Sequence, residues 1–186
     1  MRVPPAAAAE LPLERKLTLL DAENALLAAN DARDAQEERA LATGEARRAA
    51  NRRLGEAEEA RDKKGDAKLG EAAVREAKAR RFHAERDRDL QRTLLDLAEA
   101  ELMVADARFE EARAREVEAA GLPGARGVRA AEYAEQVEKL DRVRKRRAGD
   151  AALARAGTEE ARKAWLAARA ELTALSGGAQ GSVWVQ

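Results

Sequence analysis

Apolar residues recur along most of the chain in alternating steps of three and four, the spacing of one face of a helix that supercoils with a partner. In the last third these steps connect Ala130, Tyr133, Val137, Leu140, Arg144, Arg147, Ala151, Ala154, Thr158, Ala161, Trp165, Ala168, Leu172 and Leu175. In the middle third they connect Leu95, Ala98, Leu102, Ala105, Phe109, Ala112, Glu116 and Ala119. In the first third they connect Ala25, Ala28, Ala32, Ala35, Arg39, Ala42, Ala46, Ala49 and Arg53. This period predicts three helices that pack with a left-handed supercoil.

Two breaks separate these helical blocks. At the first break, Gly65 ends one helix and Asp66 caps the next. At the second break, Gly121 is expected to end a helix in the left-handed conformation, and Pro123 cannot continue one. The sequence therefore predicts helices over about 11–61, 66–120 and 127–175.

Short connections make consecutive helices antiparallel neighbours. The predicted fold is therefore all-α, an elongated rod of three long helices in an up-down-up antiparallel coiled-coil bundle. We expect this domain over residues 11–176, with a flexible N-terminal segment at 1–10 and a flexible C-terminal tail at 177–186. Larger apolar residues concentrate near Gly121 and alanine dominates near Gly65, which predicts a firm end and a looser end. The leucines expected in the core of the firm end include Leu13, Leu17, Leu19, Leu20, Leu26 and Leu27.

Composition supports long, solvated helices. Charged residues make up 38% of the chain, against about 25% in a typical globular domain. Acidic residues often precede basic ones by four positions, as in Glu59–Lys63 and Glu138–Arg142, which stabilises a helix in water. The formal net charge is +0, whereas dedicated nucleic-acid-binding domains are usually basic. The absence of cysteine excludes disulfides, thiolate catalysis and cysteine-based metal sites.

The most concentrated charge lies at residues 141–150, where five basic residues occur within six positions: Arg142, Arg144, Lys145, Arg146 and Arg147. At about 100° per residue they surround the helix, so we call them the basic collar. We expect a solvated collar with internal pairing, in which Arg144 and Arg147 lie level with Glu99 and Glu101. The alternative is an acidic partner, either nucleic acid or an anionic lipid surface.

Other candidate sites are sparse. His83 is the only histidine, and we interpret it as a surface or helix-interface residue rather than a metal ligand. Ser176 and Ser182 lie far from it in sequence, which argues against nucleophilic catalysis. Val183, Trp184 and Val185 form a short apolar run after a glycine-rich linker, interpreted either as a frayed tail or as a peptide that docks on a partner.

The helical blocks rich in Ala, Arg and Glu resemble the helical arms of bacterial envelope and scaffold proteins, in which "GL" turns also separate long helices. The strands of those proteins have no counterpart in this sequence, and the resemblance transfers no functional residue.

From the sequence we expect a non-enzymatic scaffold, spacer or protein–protein interaction module without a cofactor. Its expected partner is another protein or a second copy, and no apolar run is long enough to span a membrane. The alternative is a helical binder of nucleic acid or of an anionic membrane surface. The sequence leaves two compartments open: the cytoplasm, or the periplasm if an export signal was removed.

Overall fold

The structure is a computed structural model that describes residues 1–63, 67–121 and 126–177. About nine-tenths of these residues are helical, and none of them lies in a strand. Gly65, Asp66, Pro123 and the run Val183–Trp184–Val185 lie outside the described residues. Two short helices precede three long ones: α1 (Pro5–Ala9), α2 (Leu13–Leu17), α3 (Leu20–Lys63), α4 (Ala67–Ala120) and α5 (Ala130–Leu175).

The long helices pack side by side, with α4 in contact with both α3 and α5. The chain divides into two compact units. Unit 1 comprises Met1–Glu37 and Leu94–Asp150, and unit 2 comprises the described residues of Glu38–Thr93 and Ala151–Gln186. Each unit therefore contains one part of α3, α4 and α5.

Contacts in both units show that α4 and α5 run antiparallel. In unit 1, the backbone N–H of Ala130 donates to Glu118 (2.9 Å), while farther along α5 Arg147 pairs with Asp96 (3.2 Å). In unit 2, the Thr158 hydroxyl donates to the carbonyl of Arg86 at 3.1 Å. Farther along α5, Glu171 accepts a hydrogen bond from Arg75 at 2.6 Å. The residue numbers of the contacting partners fall along α4 as they rise along α5. This confirms the predicted antiparallel all-α fold.

The α3–α4 pair is also antiparallel in unit 2, where Arg61 lies against Gly70 and Leu54 packs with Val74 and Ala77. A Cβ added at Gly70 would lie 3.0 Å from Cγ and 3.3 Å from Cα of Arg61. Glycine at position 70 therefore permits the close approach of the two helices. Leu54, Val74 and Ala77 form the buried cluster of this unit, with Ala57 against it.

Unit 1 has the larger core, and the N-terminal segment contributes to it. The flexible segment expected at 1–10 is instead ordered into α1, and Val3, Ala7 and Leu11 are buried at intervals of four residues. With Ala8 and Leu19 they cover Ala114, Val117 and Tyr133. A pattern of three apolar residues next to two prolines is too short to predict a helix from sequence. Burial of these residues against α4 and α5 nevertheless stabilises α1.

The ends of the long helices differ in part from the prediction. Gly121 follows α4 with φ +63°, the left-handed conformation expected of it, and its N–H donates to the carbonyl of Glu118 (3.2 Å). The first long helix, expected from residue 11, begins at Leu20 instead. Before it, α2 ends at Leu17 and is followed by Thr18, whose hydroxyl donates to the Arg15 carbonyl at 2.8 Å. A local side-chain bond of this kind competes with continuation of the helix.

The predicted buried positions are confirmed on α5 and, for the most part, on α4. On α5 all of them are buried or half-buried except Arg147 and Leu175, and on α4 only Ala119 is exposed. Helix α4 carries a second buried row, as expected for a helix with neighbours on two sides: Ala100, Val104, Ala107, Ala114 and Val117.

On α3 the predicted period is right but its phase is wrong by one residue. The expected positions from Ala25 to Ala46 are exposed. The row that faces inward, which we call the inner row, is Ala22, Leu26, Ala29, Arg33, Gln36, Ala40, Thr43, Arg47, Ala50 and Leu54. Alanine occurs on several faces of this helix, so composition alone does not distinguish neighbouring phases. The larger side chains of Leu26 and Leu54 bury more apolar surface and determine the orientation.

Candidate functional site

The basic collar lies on α5 in unit 1, and one carboxylate contacts two of its central residues. Asp141 accepts a hydrogen bond from Nε of Arg144 (2.8 Å). It also forms an ion pair with Nζ of Lys145 (2.9 Å). The hydrogen bonds from Lys145 and Arg144 lower the pKa of Asp141 from 3.8 to about 2. Asp141 thus remains ionised at all but strongly acidic pH.

Two further collar residues have acidic neighbours. Arg142 lies 3.6 Å from Glu138, one turn earlier on α5, and Arg147 reaches Asp96 on α4 at 3.2 Å. Arg147 was expected to lie level with Glu99 or Glu101. It pairs instead with Asp96, about one helical turn before Glu99 on α4. Within the part of the chain that the structure describes, Arg146 is exposed and forms no ion pair. The collar is largely balanced by the protein's own acids.

A buried carboxylate in unit 1, which sequence reasoning did not identify, holds the N-terminal segment. Glu110 has a side chain only 2% exposed and accepts the backbone N–H of Val3 at 2.7 Å. It also accepts Nη1 of Arg113 at 2.9 Å and Nη1 of Arg2 at 3.3 Å. Arg2 donates in addition to Asp106 at 2.7 Å. No sequence signal links residues more than a hundred positions apart, so this site becomes visible only once the helices are packed.

A small open cavity adjoins Glu110, with a volume of about 200 Å³. Its lining combines apolar and polar side chains: Met1, Met103, Asp106, Ala107, Glu110, Tyr133, Gln136 and Leu140. Burial, together with the negative charge of Glu110, raises the pKa of Tyr133. Ligand pockets usually enclose about 300–1,000 Å³, and both carboxylates here are already bound by Arg2. This cavity is therefore a weak candidate for a substrate site.

The most elaborate side-chain cluster in unit 2 surrounds Trp165 of α5. The indole N–H donates to Oε1 of Glu76 (2.7 Å), and the ring of His83 stacks on the indole with centroids 5.4 Å apart. The guanidinium of Arg80 lies 5.5 Å from the indole centroid, in a cation–π arrangement. Glu76, Arg80 and His83 follow one another along α4 in steps of four and three, so Trp165 packs into one face of that helix.

This cluster is a helix-packing contact, as expected for both Trp165 and His83. Among residues 1–63, 67–121 and 126–177, no group of three or more His, Cys, Asp or Glu side chains is arranged to hold a metal ion.

The largest departure from the sequence-based core concerns the leucines near the start of α3. Leu13, Leu17, Leu20 and Leu27 were expected in the core near Gly121, but all four are exposed. Of the leucines expected there, Leu19 and Leu26 do face inward. Since these exposed leucines follow one another at helical spacing, they form a candidate interaction surface. A search for a second helical period in the same segment would have found it.

None of the helices in the described residues combines the length and apolar character that a membrane crossing requires. Comparison of the chain with family models, with curated proteins and with solved structures finds no match.

Proposed function

We propose that this protein is a non-enzymatic helical scaffold that binds other protein chains through the outer faces of its helices. The observation that carries this proposal is the exposure of large apolar side chains on those faces, above all Leu13, Leu17, Leu20 and Leu27 in unit 1. Exposed apolar residues that cluster, rather than occurring singly, mark interaction sites. Four leucines within fifteen residues meet that description.

The charge pattern supports a protein partner more than a polyanion. Most of the basic collar is paired with carboxylates of the same chain, and Asp141 pairs with both Lys145 and Arg144. Binding to nucleic acid gains affinity from basic residues that are free to neutralise phosphates. Because few collar residues are free, the polyelectrolyte contribution to binding is small.

Site-specific photo-crosslinking tests the proposal. A photoreactive residue at Leu27, on the exposed leucine face, is expected to give discrete protein adducts in an extract of the cells that make the protein. The same residue at Glu45, an exposed polar position of α3, is the matched control. Equal labelling at both positions, or no adduct at Leu27, contradicts the proposal.

A second candidate function is the binding of an acidic polymer or surface through the basic collar. Arg146 favours it because this side chain is exposed and unpaired among the described residues. We expect no binding of a fluorescent DNA duplex or of anionic vesicles at ~50 mM salt. Binding that disappears near ~200 mM salt, and that is lost in the R142E/R146E variant, would support this second function instead.

A further inference from the structure

The exposed leucines near the start of α3 belong to a second heptad pattern, distinct from the inner row that contacts α4. Leu13, Leu20 and Leu27 are seven residues apart, and Leu17 and Asn24 fall between them at steps of four and three. All five are exposed, and we call them the outer row. In heptad notation the three spaced leucines occupy d positions, and Leu17 and Asn24 occupy a positions.

The backbone allows α2 and α3 to present this row together. Thr18, at the end of α2, keeps right-handed helical angles, with φ −67° and ψ −15°. Past it, the N–H of Leu19 donates to the carbonyl of Lys16 (3.1 Å), and that of Glu23 donates to the carbonyl of Leu19 (2.9 Å). The turn between α2 and α3 is therefore confined to Thr18 and Leu19, and the outer row runs from α2 across this turn onto α3.

The outer row lies on the side of α3 opposite the inner row. At about 100° per residue, Leu20 and Leu27 point roughly 140° away from the direction shared by Ala22, Leu26 and Ala29. The inner row already packs on α4. One segment thus carries two heptad rows, of which the outer one is not covered by any described residue of this chain.

We propose that the outer row pairs with the outer row of a second copy of this chain, as a parallel two-stranded coiled coil. This inference deepens the proposed function and rests on it. Leucine at successive d positions favours two parallel strands, and a single Asn at an a position fixes that register and oligomeric state. A parallel pair with two-fold symmetry brings Asn24 opposite its own counterpart, where the two amides can hydrogen-bond to each other.

The charges beside the row are compatible with this orientation. In a parallel pair, each g position faces the e position five residues farther along the other strand. Lys16 then faces Asp21 of the second copy, an attractive contact that occurs twice, while Glu23 faces the neutral Ala28. An antiparallel pair centred on Leu20 would bring Lys16 near Glu23 of the second copy, so the parallel orientation is argued from the leucine and Asn24 positions.

The same logic limits the length of the pairing. Asp31 and Asp34 occupy the a and d positions that follow Leu27. In a parallel pair they would lie opposite their own counterparts, and Arg33 already pairs with Asp34 at 2.7 Å in the single chain. The self-pairing therefore ends after Leu27, and a basic amphipathic helix of another protein is the competing occupant of the row.

The mass of the full chain in solution, measured by light scattering over a concentration series, tests the proposal. We expect a dimer whose dissociation constant rises at least tenfold in the L20S/L27S variant. Its helix content by circular dichroism should not change, because both side chains are exposed. Leu153→Ser is the matched control, since Leu153 is 76% exposed on α5 in unit 2, and it should leave the dimer intact.

A monomer at every concentration, or a dimer that persists in L20S/L27S, overturns the proposal. In the first case a photo-adduct at Leu27 with a different protein would leave the proposed function standing. If neither a dimer nor an adduct forms, the self-pairing and the proposed function are both contradicted.

Orientation and charge are tested separately. The chain has no cysteine, so Leu13→Cys introduces a single thiol that should form an intermolecular disulfide only if the strands are parallel. Lys16→Glu and Asp21→Lys should each weaken the dimer, and the double variant should recover most of the affinity. A dimer that forms no disulfide at residue 13, or charge variants that show no rescue, contradicts the parallel arrangement.

Discussion

At the scale of single residues, Glu110 shows how a charged side chain can organise a core. Its carboxylate is enclosed, and the hydrogen bonds it accepts come from two guanidinium groups and a backbone N–H. Burial of a carboxylate is tolerated only when such donors replace water. The donors come from the N-terminal segment and from α4, so this residue joins segments that are far apart in sequence.

Glu110→Gln tests this role. The amide retains an acceptor oxygen but loses the charge and places an NH₂ group among donors, so we expect the free energy of unfolding to fall by about 1–3 kcal/mol. Urea denaturation of the full chain measures the change. Glu101→Gln, at an exposed position of the same helix, is the control and should have little effect.

Asp141 provides a pH-dependent prediction. Its pKa in the folded chain is about 2, below the usual value of 3.8, because Lys145 and Arg144 donate hydrogen bonds to it. A carboxyl with a depressed folded pKa contributes stability that is present above about pH 4 and is lost as the pH falls towards 2. The stability difference between the wild type and Asp141→Asn should therefore shrink over that window.

Denaturation curves between pH 2 and 6 measure that difference, and an NMR titration of the Asp141 carboxyl measures the pKa directly. A midpoint near 3.8 in the folded chain, or a difference between the two proteins that is constant with pH, would contradict the assignment.

At the scale of the helix, the spacing of the buried residues was predictable from the sequence. Which residues of each helix face inward was predictable only in part. On α5 the row from Tyr133 to Leu172 contains large side chains such as Trp165 that fit a single orientation. On α3 alanine occupies both the predicted row and its neighbours, and the two candidate phases differ by one residue. Leu26 and Leu54 decide between them, since alanine contributes little apolar area in either phase.

A pair of substitutions distinguishes the two phases of α3. Ala50 is buried on the inner row, and Ala42 is exposed although the sequence placed it inside. Ala50→Glu places a charge without a partner in the interface and should lower the free energy of unfolding by at least about 2 kcal/mol. Ala42→Glu should change it by less than about 0.5 kcal/mol.

Chemical denaturation of the two variants against the wild type is the measurement. If both variants lose the same free energy of unfolding, or if Ala42→Glu loses more, the phase predicted from the sequence is correct.

At the scale of the whole molecule, the sequence predicted the fold class and the uneven distribution of large apolar residues. The structure places a cluster of eight buried residues in unit 1 and one of three in unit 2. It adds the N-terminal segment to the larger cluster, through contacts that no local pattern encodes. The exposed leucine row was missed because heptad analysis assigned one row to each helix, whereas the segment from Leu13 to Leu27 carries two.

The difference between the two cores predicts a difference in local stability. Amide hydrogens of α4 in unit 1, residues 94–120, should exchange more slowly than those of α4 in unit 2, residues 67–93, because opening them exposes more apolar surface. Hydrogen exchange followed by mass spectrometry measures both halves of this helix in one experiment. Equal exchange rates in the two halves, or faster exchange over residues 94–120, would contradict the predicted difference in local stability.

The distribution of aromatic residues has a practical consequence. Tyr133, the only tyrosine, lies in the core of unit 1, while Trp165 packs between α4 and α5 in unit 2. Once Trp184 is replaced by phenylalanine, indole emission reports on one unit and phenol absorbance on the other. An unlabelled sample can then reveal, in a single melt, whether the two halves of these helices lose their structure together or in turn.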